Sequence, residues 1–322
     1  MLRHNGLRGN GGGRPYPQRG KIARMSTRDK LRAIGNAITP ESISGTAALV
    51  APLHARIDNT SVKVSRDLRY GPADRNRLDV FEPATAGAGR LPVLVFVHGG
   101  GFVMGDKTAP NSPFYDNVGN WAARNGMVGV NITYRLAPQH TWPSGSDDVA
   151  LAVKWVRENI AAHGGDISRI YVMGQSAGAV HVAGYIAREF GNPGGRAPSE
   201  GWKPAGALLI SGMYDTDTMH REERFRAYFG DDDAKLENAS FVGALAGASV
   251  PLFVVLAEFD PPDFVRQFVV LLETHVRRQV PMPRFVQLMA HNHFTTTWMM
   301  NTGTSADTLG PELLRFVAET TG

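Results

Sequence analysis

The chain has 322 residues, 43% hydrophobic and 20% charged, and contains no cysteine. That composition suits a well-buried core and excludes a disordered polymer, a disulfide scaffold, a cysteine nucleophile and any Cys-based metal site. The net charge of +4 is unevenly placed: residues 1–32 carry nine Lys/Arg against one Asp, a net of +8, so residues 33–322 carry −4.

Residues 1–24 are rich in Gly and Arg. They lack the apolar core of about 7–15 residues that a secretory signal needs. This segment is expected to be a disordered basic tail, solvated rather than bound to nucleic acid. No apolar run reaches the roughly 18 residues of a membrane span, so no membrane partner and a cytoplasmic location are expected. Residues 25–322 are expected to form one domain. Its N-terminal helices (25–58) open with Thr39-Pro40-Glu41, an N-cap, a proline at the first helical position and an acid. Strands are predicted at 61–69 and 77–81, then at 91–97, where LPVLVFV is apolar throughout, as a strand buried on both faces should be. A helix at 114–124, a strand at 127–134, a helix at 147–162 and a strand at 169–173 follow. A helix then runs from Ser176 to about Phe190, and a Gly/Pro-rich loop leads to a strand at 207–210. Residues 213–248 read as a polar, irregular insertion, forming a small cap with the N-terminal helices. The chain closes with strand 251–256, helix 264–276, strand 284–289 and helix 311–318. Strands regularly separated by helices predict an α/β fold, a mostly parallel sheet of about eight strands covered on both faces.

Two motifs sit at strand ends. Gly174-Gln175-Ser176-Ala177-Gly178 joins a buried strand to a helix. Small residues flank the serine because the turn is too sharp for side chains; it lifts the hydroxyl above the sheet and aims the next backbone N–H at the same point. The pattern is weak alone, with about 0.2 chance matches expected at this composition, and gains its weight from the strand–turn–helix context. His98-Gly99-Gly100-Gly101-Phe102 ends the strand 91–97. Consecutive glycines let backbone N–H groups approach a ligand and stabilise an oxyanion. The alternative is a glycine turn that merely ends a strand. A serine nucleophile needs a base, and the base an orienting acid, which follow it in the order acid then histidine. Glu258, Asp260 and Asp263 compete as the acid, with Asp260 just past the strand end. His291 and His293 compete as the base.

With these residues on view, the sequence resembles the hormone-sensitive-lipase-like esterases and the neighbouring feruloyl-esterase-like and kynurenine-formamidase-like hydrolases of the α/β-hydrolase fold. The resemblance covers roughly residues 65–319. HGGGF, GQSAG, the block Tyr134-Arg135-Leu136-Ala137-Pro138-Gln139-His140 with Pro143 and Asp147-Asp148, and AEFDP at 257–261 carry it. It implies Ser176 as nucleophile, Asp260 as acid and His293 as base, with Gly100, Gly101 and Ala177 as oxyanion donors. Gln175 stands where the lipase-like branch has an acid, and His293-Phe294 replaces its usual HGF ending.

The expected activity is carboxylic ester hydrolysis through an acyl-enzyme, on short-chain or aryl esters, with no metal or cofactor required. The expected partner is a small-molecule ester, with room left for a homodimer. The rival readings are an amidase or arylformamidase using the same residues, a catalytically dead binding protein on this fold, and nucleic-acid binding through the tail.

Overall fold

The computed structural model describes residues 25–85, 90–191, 201–219, 221–232, 236 and 239–321. The expected tail and most of the Gly/Pro-rich loop lie outside them. Eight strands form one sheet: β1 (Val62–Arg69), β2 (Arg77–Pro83), β3 (Leu91–Val97), β4 (Val128–Ile132), β5 (Gly165–Gln175), β6 (Gly206–Ile210), β7 (Leu252–Phe259) and β8 (Arg284–Asn292). Their order is β1-β2-β4-β3-β5-β6-β7-β8. β1 runs antiparallel to β2, and β2 to β4; every later pairing is parallel. This is the mostly parallel, eight-stranded α/β sheet that the alternation of apolar runs predicts.

The continuous apolar strands follow from a sheet covered on both faces. In β3, Val93, Val95 and Val97 enter one core while Leu94 and Phe96 enter the other. β5 repeats this with Ile170 and Val172 on one side, Tyr171 and Met173 on the other. Because side chains alternate with a period of two, a strand buried on both sides has no polar position left.

The N-terminal helices run over Thr27–Ile34 and Pro40–His54, and Thr39 caps the second reciprocally with Ser42. They pack beside Phe114, Trp298 and Met299 in a third, smaller apolar cluster. The insertion differs from its expected irregularity. Its described residues include the short helices Glu223–Phe229 and Val242–Ala246. Their buried Phe225, Tyr228, Phe229 and Leu245 join the main core. Its aromatic residues are spaced too irregularly to announce a helix by periodicity, yet they stack on Phe102 and Trp142. The final helix of the fold is Leu309–Thr320, and a short helical turn at Thr295–Trp298, unmarked in the sequence, follows β8.

Candidate active site

Ser176 stands between β5 and the helix Ala177–Phe190, with φ 56° and ψ −123°. A non-glycine residue with positive φ is strained and persists only where its surroundings fix it. They do here: the Ser176 N–H donates to the Ile210 carbonyl at 2.9 Å. The flanking glycines are required by backbone contacts. A Cβ at Gly174 would lie 2.3 Å from the Gly178 carbonyl oxygen, and one at Gly178 would lie 2.1 Å from that of Val97.

Strand ends deliver the other two groups. β7 stops at Phe259 and β8 at Asn292, so Asp260 and His293 are the first residues beyond each. His293 Nε2 lies 2.9 Å from Ser176 Oγ, and His293 Nδ1 lies 2.8 Å from Asp260 Oδ1. Asp260 Oδ2 accepts hydrogen bonds from Ser211 Oγ and the Ala257 N–H, each at 2.7 Å. Both side chains of the Asp–His pair are buried. Phe264 and Phe294 lie against the imidazole, with ring centroids at 4.5 and 5.4 Å.

The glycine loop after β3 passes beside the serine. Gly100 and Gly101 have φ of 139° and 58°. A Cβ at Gly100 would fall 1.9 Å from the Met104 carbonyl oxygen, so only glycine fits. The Tyr134-to-Asp148 block braces this loop from behind. The Tyr134 hydroxyl donates to the His98 carbonyl at 2.9 Å, and the Ala137 N–H donates to the Phe102 carbonyl at 3.0 Å. Arg135 is held in turn by the buried Asp148 carboxylate at 2.9 Å.

A pocket of about 770 Å³ opens over Ser176 and His293. Its apolar walls include Ile38 and Ile43 from the N-terminal segment, Phe225 from the insertion, and Phe264, Phe294 and Trp298 from the far end of the sheet. A hydroxyl with an imidazole within hydrogen-bond reach, a buried carboxylate behind that imidazole, and a glycine loop alongside can carry out acyl transfer.

Residues 94–263 match the family described as alpha/beta hydrolase fold, over half of the chain. The chain belongs to the α/β-hydrolase fold family. This α/β-hydrolase is 34% identical over 212 residues to esterase LipQ of Mycobacterium tuberculosis, 61% of this chain and 48% of LipQ. It is 33% identical over 176 residues to isoprenylcysteine alpha-carbonyl methylesterase of Arabidopsis thaliana, 52% of this chain and 40% of that protein. A shorter stretch of 110 residues is 44% identical to carboxylesterase NlhH of M. tuberculosis and covers 32% of each chain. The chain thus spans about half or less of the length of these curated relatives. Among solved structures, esterase B of Lactobacillus rhamnosis superposes with a TM-score of 0.69 at 17% identity, over 92% of this chain and 96% of that one. A thermostable esterase of Pseudomonas putida superposes with a TM-score of 0.64 at 20% identity, over 91% and 95%. At these identities the likeness is one of fold.

The fold also disposes of the competing titratable groups. Glu258 receives Arg28 and the Ala290 N–H, tying the first helix to β8. Asp263 sits in the first turn of the helix Pro262–Arg277, where the dipole favours an acid. His291 bonds the Thr308 hydroxyl at 2.8 Å, and burial pushes its pKa down to about 4. His98, despite heading the glycine loop, is stacked on Tyr134 and bonds, among the described residues, only the Gly99 carbonyl; burial pushes it down to about 3. Two supporting residues escaped the sequence reading. Gln175 donates through Nε2 to the His293 carbonyl at 2.9 Å and so holds the histidine's loop. Its place directly before Ser176 was the available signal. Ser211, the second partner of Asp260, lies at the end of β6 with no motif around it.

Proposed function

We propose that this chain is a carboxylic ester hydrolase acting through an acyl-enzyme. The observation that carries the reading is the continuous chain from Ser176 Oγ through His293 to Asp260, at 2.9 and 2.8 Å, on the floor of an apolar pocket. In this mechanism Ser176 Oγ attacks the ester carbonyl as His293 Nε2 takes its proton. Asp260 Oδ1 holds the Nδ1–H and stabilises the imidazolium. The backbone N–H groups of Gly100, Gly101 and Ala177 receive the oxyanion. His293 then gives its proton to the departing alcohol oxygen, the C–O bond breaks, and an acyl-Ser176 ester remains. A water molecule attacks that ester as His293 takes its proton; the acyl–Oγ bond then breaks, His293 returns the proton to Ser176 Oγ, and the acid leaves.

The pocket volume is within the range of about 300–1,000 Å³ typical of small-molecule sites. Its aromatic walls suit short-chain or aryl esters, and the esterase names of the relatives favour an ester over an amide. The N-terminal helices and the insertion would serve as the cap. The test is turnover of p-nitrophenyl butyrate alongside an aryl formamide. Ser176→Ala should abolish ester hydrolysis while the far-UV spectrum stays native, and a serine-reactive phosphonate should label Ser176. Label on another serine, or more than a few per cent of residual activity, would overturn the nucleophile. Faster turnover of the formamide would make the protein an amidase.

A further inference from the structure

Arg224 stands out among the charged residues at the pocket mouth. Its side chain lies over the glycine loop: a Cβ on Gly101 would meet Arg224 Cδ at 2.8 Å and Nη1 at 3.4 Å. Among the described residues it has no hydrogen-bond or ion-pair partner, although Glu222, Glu223 and Asp263 line the same pocket. Those acids have a local explanation. Glu222 occupies the N-cap position of the helix Glu223–Phe229, without a side-chain capping bond, Glu223 lies in its first turn, and Asp263 lies in the first turn of Pro262–Arg277. The positive end of a helix favours acids at these places. Arg224 is the second residue of its helix, where the same dipole disfavours a cation. Helix stability therefore does not account for this arginine, and no carboxylate among the described residues pairs with it.

We propose that Arg224 is a specificity-determining residue that selects esters carrying a carboxylate or similar anion a few bonds from the scissile carbonyl. A guanidinium has a fork of donors that matches a carboxylate, and it retains its charge at any working pH. Placed against Gly101, it reaches the substrate groups that flank a carbonyl bound at the loop. The N-terminal and aromatic walls then hold the apolar remainder. The inference rests on the ester-hydrolase reading and names the substrate class for that site.

The experiment compares kcat/KM for matched neutral and anionic esters in two arms. In the acyl arm, p-nitrophenyl hemiglutarate is set against p-nitrophenyl valerate; in the alcohol arm, 4-carboxyphenyl butyrate against phenyl butyrate. Arg224→Met keeps most of the stem and loses the charge, while Arg224→Lys keeps the charge. Arg226→Gln, one turn-half further along the same helix, controls for general surface charge. In at least one arm, Arg224→Met should lower the anionic-to-neutral ratio by about tenfold or more, the scale of one charge-assisted hydrogen bond. Arg224→Lys should restore part of it and Arg226→Gln should leave it. The arm that responds identifies which half of the ester carries the anion. If the wild-type protein hydrolyses the neutral esters but Arg224→Met changes neither ratio, the arginine proposal fails and the esterase reading stands. If no ester is turned over, the esterase reading itself fails. A ratio that rises in Arg224→Met would make the pocket's acids the selecting groups and overturn the proposal.

Discussion

Asp260 uses both of its oxygens, and that decides what a conservative change there would do. Oδ1 faces His293 Nδ1, while Oδ2 takes two donors, Ser211 Oγ and the Ala257 N–H. An amide cannot satisfy this arrangement. Turned one way it presents N–H to Nδ1 and favours the wrong tautomer; turned the other, it faces the Ser211 and Ala257 donors with a third donor. Asp260→Asn should therefore lower kcat by about 10⁴-fold with the fold intact. Glu258→Gln and His291→Ala should each cost about tenfold or less, since they only loosen the surrounding loops. His293→Ala should match Ser176→Ala, because the two groups act as one unit. The deciding data are steady-state rates for the five variants. A dead His291→Ala beside a working His293→Ala would misplace the base by two residues.

The serine turn is an element held by backbone on every side, so its glycines are not interchangeable with glycines elsewhere. A Cβ at Gly178 would meet the carbonyl oxygens of Val97 at 2.1 Å and His98 at 2.6 Å, both main chain of the β3 end. Neither can rotate away as a side chain could. Gly178→Ala must therefore push the helix Ala177–Phe190 off the sheet, and a loss of about 3 kcal/mol or more, with little activity, is expected. Gly45 provides the contrast. It lies inside the helix Pro40–His54, and an added Cβ there meets Ile34 side-chain carbons at 3.6 and 3.7 Å, ordinary contact. Gly45→Ala should stabilise by about 0.5–1 kcal/mol through helix propensity. Thermal melts of the pair check both signs; a Gly178→Ala protein with native stability and rate would refute the backbone argument.

At the scale of the molecule, His98, His181 and His291 among the described residues are stored neutral in buried places that disfavour a proton. His98 and His181 are pushed down to about 3 and His291 to about 4, in each case chiefly by burial. Among the described residues His98 Nε2 and His181 Nε2 are buried without a hydrogen-bond partner, so an added proton there would stay unpaired; at His291 burial outweighs the backbone groups of Thr295 and Ala306 that favour the charged form. The unfolded chain takes up those protons near the ordinary value of 6.5. Between about 6.5 and 3 the unfolded state binds more protons, so stability is full above that window and falls as pH drops through it. At pH 5 each fully buried histidine of this kind should cost about 2 kcal/mol relative to pH 7. Tm should fall clearly from pH 7 to pH 5, reversibly, before most carboxylates titrate. An unchanged Tm over that interval would mean that these histidines are not held neutral by the fold.

The features legible in the sequence are those that local backbone geometry and burial demand of neighbouring residues. Strand segments buried on two faces must be apolar, and β3, β6, residues 170–174 of β5 and residues 252–257 of β7 say so in their composition. A turn that admits no Cβ must be written in glycine, and GQSAG and HGGG are. The order of strands and helices, and the serine at the turn, follow from these. The rest depends on contacts between residues far apart in the chain, which leave no local trace. Glu258 and Asp260, and likewise His291 and His293, are equivalent by spacing. Only the points where β7 and β8 end bring Asp260 and His293 beside Ser176 and turn the other two toward Arg28 and Thr308. The support that Gln175 gives His293 and that Ser211 gives Asp260, and a pocket walled by residues from both ends of the chain, were decided by tertiary packing, because a hydrogen bond across more than 40 residues places no demand on sequence neighbours.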